Sequence, residues 1–189
     1  FLAGYSEVLK YSMINDKKFF LWLDKNYKKI NSKNYKTLTE IIAKCCVQKA
    51  KIVKKDEKEN NHRMLLNLGH TFAHAIEKEL NFKIRHGEAV SVGLLMAMKL
   101  SVLLNKTKIL NFNLIKSHLI KLELPISLNC LSSKKKWNIK RLIKNMQNDK
   151  KRVDKNIKFI LLNDIGKAYI ESTVSHNKIQ LTIQEFING

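Results

Sequence analysis

Residues 89–104, "AVSVGLLMAMKLSVLL", carry one charged side chain, Lys99, in an otherwise almost wholly apolar run. A bilayer-spanning helix needs about 20 such residues, so this run is short for a membrane and predicts a helix buried on all sides. No membrane partner is expected. A chain of 189 residues with 44% hydrophobic and 28% charged residues is long enough for one substantial core and too apolar to stay disordered.

The flanking sequence reads as further helices. Residues 5–27 alternate apolar and polar at helical spacing, with Asp16 placed to cap a second helix holding Phe19, Phe20, Trp22 and Leu23. A long helix is predicted from Thr37 to Lys58, another over 63–80, and two more near 112–122 and 137–147, separated by Pro125 and a polar "SSKKK" loop. "IKFILL" and "KAYIES" flank "NDIG", the pattern of a β-hairpin, and "TIQEFING" closes the chain as a short helix. Without repeats or a low-complexity linker, residues 1–189 form one mainly α, multi-helix domain with a small β-hairpin near the C-terminus.

The segment "RMLLNLGHTFAHAIEKEL" bears an unusual second face. Arg63, Asn67, His70, His74 and Glu77 recur at helical spacing opposite an apolar stripe of Leu65, Leu68, Phe72, Ile76 and Leu80. The apolar stripe is enough to seat a helix in a core. The polar one calls for a separate explanation.

A formal charge of +20 raises the question of a nucleic-acid partner. Arg63, Arg85, Arg141 and Arg152 are the only arginines, and the remaining cations are lysines scattered among Asn and Ile. Arginine forks and interleaved aromatic platforms are missing, so no nucleic-acid partner is expected. Cys45, Cys46 and Cys130 are odd in number, lack CxxC spacing, and follow no secretory leader, which points to reduced thiols and a cytoplasmic location. The chain starts "FLAGYSEV", without methionine and in mid-pattern, so an upstream part is expected.

His70 and His74 at i, i+4 could share a metal ion from one helical face. The metalloprotease version requires a glutamate directly after the first histidine, where this chain has Thr71. A lone histidine is most often a packed, hydrogen-bonded residue. Here His86 lies beside Gly87 and Glu88 at the start of the apolar helix, where a chain reversal could return it to the same face. Glu7 of "YSEVLKY" could complete a His/His/Glu set with one position open, the arrangement of a catalytic zinc.

"NLGHTFAHAIE" followed by "HGEAVSVGL", preceded by "SEVLKY" and "KAKIVKKDEKE", and followed by "NDKK" and "IGKAYI", resembles the C-terminal domain of 3-dehydroquinate synthase. The similarity runs from Gly4 to the hairpin near Tyr169, in the family's order. It implies that Glu7, His70 and His86 are the metal ligands, for Zn2+ or Co2+, and that His74 is a neighbour rather than a ligand. It also implies that Lys10, Lys49, Arg63, Asn67 and His74 bind substrate, with Lys49 and Arg63 at a carboxylate and Asn67 and His74 near a phosphate. One of Lys150 and Lys151 completes the phosphate set. In the family, NAD removes and returns a hydride while 3-deoxy-D-arabino-heptulosonate 7-phosphate loses phosphate and recloses to 3-dehydroquinate, a step of the shikimate pathway to aromatic amino acids. The resemblance further implies a homodimer for the full-length enzyme.

Chemistry and resemblance agree on the polar stripe. A sugar acid with a carboxylate and a phosphate needs cations at both ends, and an arginine fork suits the planar carboxylate. No glycine-rich dinucleotide fingerprint occurs in the sequence, so NAD is expected on an upstream domain and the chain alone is expected to be inactive. Two departures from the family pattern, Ser12 after "KY" and the Asp154–Lys155 positions after "DKK", bear on local geometry. The competing readings are a related sugar-phosphate cyclase with the same ligands, a basic non-catalytic binding module, and a helical domain whose histidines are only packed.

Overall fold

A computed structural model describes residues 1–56, 62–147 and 157–189. Ten α-helices, one 3₁₀ turn and one antiparallel hairpin follow one another among these residues. Helix α1 (Leu2–Asn15) ends at Asp16, whose carboxylate accepts from the Phe19 N–H and so caps α2 (Lys17–Lys25), as the sequence predicts. A short α3 (Tyr27–Asn31) leads into α4 (Tyr35–Lys55), capped by the Asn34 side chain at Thr37. The expected end at Lys58 lies outside the described residues.

The predicted continuous helix over 63–80 is broken. A 3₁₀ turn, His62–Asn67, is followed by Gly69 at φ +79°, and α5 (His70–Glu79) starts afresh from there. The left-handed glycine ends one helical direction and opens another, so the polar stripe is split between two elements. Leu65, Leu68, Phe72 and Ile76 are nevertheless buried, because the break preserves their common inward side.

Helix α6 (His86–Leu103) is the buried centre that the apolar run predicts, and it is the one described helix long and apolar enough to cross a membrane. Instead, 72% of it is buried within the protein, against α1, α5, α7 (Ile109–Lys121), α10 (His176–Asn188) and the hairpin. A four-residue α8 (Leu128–Leu131), too short to leave a periodic signal, and α9 (Ile139–Gln147) complete the helical set. Strands β1 (Phe159–Asp164) and β2 (Lys167–Glu171) pair antiparallel around Gly166, at φ +81°. The Ser101 hydroxyl of α6 accepts from the Leu162 N–H, and the Gly166 N–H donates to the Met13 carbonyl, which pins the hairpin to α6 and α1.

A buried polar relay ties α1 to the rest. The Tyr5 hydroxyl lies 2.8 Å from Nε2 of the fully buried His118, whose Nδ1 is 3.0 Å from Asp24; Lys121 Nζ adds a bond to the same carboxylate oxygen at 2.9 Å. Burial pushes the Tyr5 hydroxyl upward, so it stays protonated and donates to His118. His118 therefore carries its proton on Nδ1 and gives it to Asp24. Helices α1, α2 and α7 are locked in register by this chain of bonds.

Candidate metal centre

Three helices meet where α1 passes the first residues of α5 and α6. His70 opens α5 and His86 opens α6, so both imidazoles stand at positive helix ends. Two close approaches set this junction, one between α6 and α1 and one between α6 and the turn before α5. A Cβ on Gly87 would overlap the Ala3 carbonyl of α1, and a Cβ on Gly93 would overlap the Gly69 carbonyl before α5. Gly87 thus serves as a contact point between helices.

At this junction the ligand atoms of Glu7, His70 and His86 all lie within 4.8 Å of one another. Glu7 Oε1 is 3.5 Å from His70 Nε2 and 3.8 Å from His86 Nε2. Its partner oxygen Oε2 accepts from Lys10 Nζ at 2.7 Å, while Oε1 is buried and has no hydrogen-bond partner among the described residues. His70 Nδ1 is 3.1 Å from the Leu68 carbonyl, which can only accept, so the proton sits on Nδ1 and Nε2 is a bare lone pair. Burial first, and then the Lys10 charge, hold the His70 pKa down at about 4. The imidazole is therefore neutral near pH 7.

The donor set fits a divalent metal. Lone pairs on Glu7 Oε1 and His70 Nε2 face each other without a proton between them, a repulsive arrangement that a cation relieves. Ligands bound at about 2.1 Å in a tetrahedron lie about 3.4 Å apart, close to the spacings seen here. Glu7, His70 and His86 would hold such an ion and leave a fourth position open.

The remaining predicted residues are distributed around this centre. His74 is half-buried on α5, with its ring 5.4 Å from that of His70 and 6.3 Å from that of His86, and it stands outside the three-donor group. Lys10 is buried against Glu7. Arg63 and Asn67 are half-buried on the 3₁₀ turn, which packs against α1 and α4 and is tied to the α4 end by the Arg63 N–H donating to Asp56 at 3.0 Å. Lys49 is exposed on α4. Lys150 and Lys151, like Asp154 and Lys155, lie outside the described residues. Ser12 is fully buried and its hydroxyl donates to the Leu9 carbonyl, so the departure at that position is accommodated within α1. Sequence reasoning gave no role to the bond between His86 Nδ1 and Glu77 Oε1, 2.9 Å long, although Glu77 stands on the polar stripe one turn beyond His74.

A helical domain with a three-donor cluster fit for a metal ion at the meeting point of three helices is the class that fold and site define. Residues 4–152 match the family described as 3-dehydroquinate synthase C-terminal, and the chain belongs to that family. It is 40% identical over 181 residues to the 3-dehydroquinate synthase of Colwellia psychrerythraea, covering 95% of this chain and 50% of the relative. Against the 3-dehydroquinate synthase of Pelagibacter ubique the identity is 41% over 189 residues, covering 97% and 50%. The chain spans about half the length of the curated relatives it matches.

Among solved structures, a 2-epi-5-epi-valiolone synthase from Streptomyces hygroscopicus with NAD+ and Zn2+ bound superposes with a TM-score of 0.84 at 16% identity, covering 98% of this chain and 51% of that one. A 2-deoxy-scyllo-inosose synthase complexed with carbaglucose-6-phosphate, NAD+ and Co2+ gives 0.74 at 22% identity, covering 97% and 52%. At these identities the likeness establishes the fold.

Proposed function

We propose that this chain is the metal- and substrate-binding half of a 3-dehydroquinate synthase, a lyase that converts 3-deoxy-D-arabino-heptulosonate 7-phosphate to 3-dehydroquinate and phosphate in the shikimate pathway. The observation that carries the reading is the convergence of Glu7, His70 and His86 with a buried, unpartnered carboxylate oxygen between two imidazoles. NAD, supplied by a dinucleotide-binding half, would take and return the hydride, and a Zn2+ or Co2+ ion would polarise the substrate hydroxyls at the oxidised carbon.

The chain's own residues bind and orient. Lys49 and Arg63 are assigned to the substrate carboxylate, where the arginine fork can grip two oxygens at once. Asn67, His74 and one of Lys150 and Lys151 are assigned to the phosphate, holding it through departure. Lys10 keeps Glu7 turned so that Oε1 alone faces the metal position. The positive ends of α5 and α6 favour an anionic substrate over a neutral one. A homodimeric full-length enzyme in the cytoplasm belongs to the same proposal.

Phosphate release from the heptulosonate substrate, with NAD and zinc present, tests it. The chain joined to the NAD-binding half of a curated relative should release phosphate stoichiometrically with 3-dehydroquinate, and the chain alone should not. A joined protein that binds zinc one-to-one yet prefers a sugar phosphate without a carboxylate would replace the proposal with a related cyclase.

A further inference from the structure

The two histidines of the cradle are held by different means. His70 has its Nδ1 proton fixed by a main-chain carbonyl, Leu68, which no side-chain substitution removes. His86 is less protected. Its side chain is 47% exposed, it is the first residue of its helix, and in water a free imidazole prefers to carry its proton on Nε2, the atom that must be bare to meet a metal.

Glu77 opposes that preference. It reaches across from α5, nine positions earlier, and places Oε1 2.9 Å from His86 Nδ1, while its own side chain is only 11% exposed. An ionised carboxylate can only accept, so the proton must reside on His86 Nδ1 and the Nε2 lone pair is left free on the side of Glu7 Oε1, 3.8 Å away. Keeping a carboxylate this far from water is unfavourable unless it is bonded, and His86 is the partner that bonds it. The negative charge behind the ring also makes Nε2 a better electron donor toward a cation.

We propose that Glu77 is a positioning residue of the metal centre: it locks His86 in the Nδ1–H tautomer and in the rotamer that offers Nε2 to the ion. This rests on the metal reading above. It adds a fourth side chain, from the same stripe as His70 and His74, whose work is done through His86. The stripe therefore supplies one ligand directly and fixes another from behind. Glu77 also ties the last turn of α5 to the start of α6.

The test reads two quantities on the wild-type protein and on Glu77→Leu and Glu77→Gln. The first is the tautomer of His86 in the metal-free state, from the nitrogen shifts of its ring; the second is zinc affinity, by competition with a chromophoric chelator. Wild type should show Nδ1–H at His86. Glu77→Leu should turn His86 toward Nε2–H and weaken zinc binding by about 10- to 100-fold, the usual effect of removing such a partner. Glu77→Gln, whose amide oxygen can still accept, should keep the tautomer and fall between the two.

Zinc binding by wild type with an unaltered affinity in Glu77→Leu would overturn the role of Glu77 alone. No zinc binding by wild type would overturn the metal reading and this inference with it. Should Glu77→Leu fail to fold by circular dichroism, Glu77→Gln decides: zinc affinity equal to wild type overturns the proposal, and a weakened affinity with the tautomer retained supports it.

Discussion

A single carboxylate, Glu7, shows how residue chemistry sets the site. One oxygen is held by Lys10 and the other is aimed, unbonded, at two imidazoles. Glu7→Gln keeps the shape and removes the charge, so zinc affinity should fall by more than about 100-fold, beyond the loss expected for an outer partner; equilibrium dialysis checks this. Arg63 makes a different prediction. Lysine dominates this chain, and a guanidinium retained on the polar stripe suits a two-point grip that an ammonium cannot make. In the joined enzyme, Arg63→Lys should cost about 1.5–3 kcal/mol in kcat/KM, and less with an analogue lacking the carboxylate. Equal losses with both compounds would make Arg63 structural. Both groups could be singled out as candidates in the sequence because side-chain type is written there; the tautomers of His70 and His86 could not, because each depends on the folded placement of a partner, the Leu68 carbonyl and the Glu77 carboxylate.

Between elements, geometry is set by glycines whose neighbours lie far off in sequence. Gly93 lets α6 cross the Gly69 turn at backbone contact. Gly93→Ala must push α6 and the start of α5 apart, costing about 1–3 kcal/mol as an overpacked contact, and it should weaken zinc binding as well because His70 starts one of these helices and His86 the other. Gly4 is the control. It lies in α1 with nothing within 4 Å of an added Cβ, so Gly4→Ala should stabilise by roughly 0.5–1 kcal/mol through lost chain entropy and leave zinc affinity unchanged. Urea melts of the two variants should move in opposite directions. Periodicity predicted most helices within a few residues, yet it ran 63–80 together as one. The apolar spacing survives the break at Gly69, so hydrophobic pattern alone carries no sign of it.

Across the whole molecule, stability should depend on pH in a way set by buried histidines. Burial lowers the His118 pKa, with Asp24 only partly restoring it, and burial likewise lowers that of His70 to about 4. The unfolded chain therefore takes up protons first, near the ordinary histidine value of about 6.5. Stability is full above that value and is lost as pH falls below it, by at most about 1.4 kcal/mol per pH unit for each histidine. Asp24 acts in a lower window. Burial opposes its ionisation, but the Lys121 and His118 bonds win and lower its pKa, so its contribution is present above about 3.9 and is lost as pH falls through the folded value. Urea melts of the metal-free protein should fall off below pH 6.5, and His118→Gln should start less stable but decline less steeply between pH 6.5 and 4. Parallel profiles for the two proteins would show that His118 does not titrate in that range.

Composition and periodicity by themselves determined that this chain forms a helical domain around residues 89–104, with a late hairpin, because burial of an apolar stripe depends on spacing that can be read along one strand of text. Residue type likewise offered Glu7, His70, His74 and His86 as candidate metal ligands, and the family resemblance chose Glu7, His70 and His86 among them. Tertiary structure alone decided that α5 starts at His70, that Gly87 and Gly93 bring α6 against α1 and the Gly69 turn, and that Glu77 stands behind His86. Those features are contacts between side chains and carbonyls distant in sequence. Their energy is set by ångström-scale approach between packed helices, and a one-dimensional pattern of apolar and polar residues does not contain that distance.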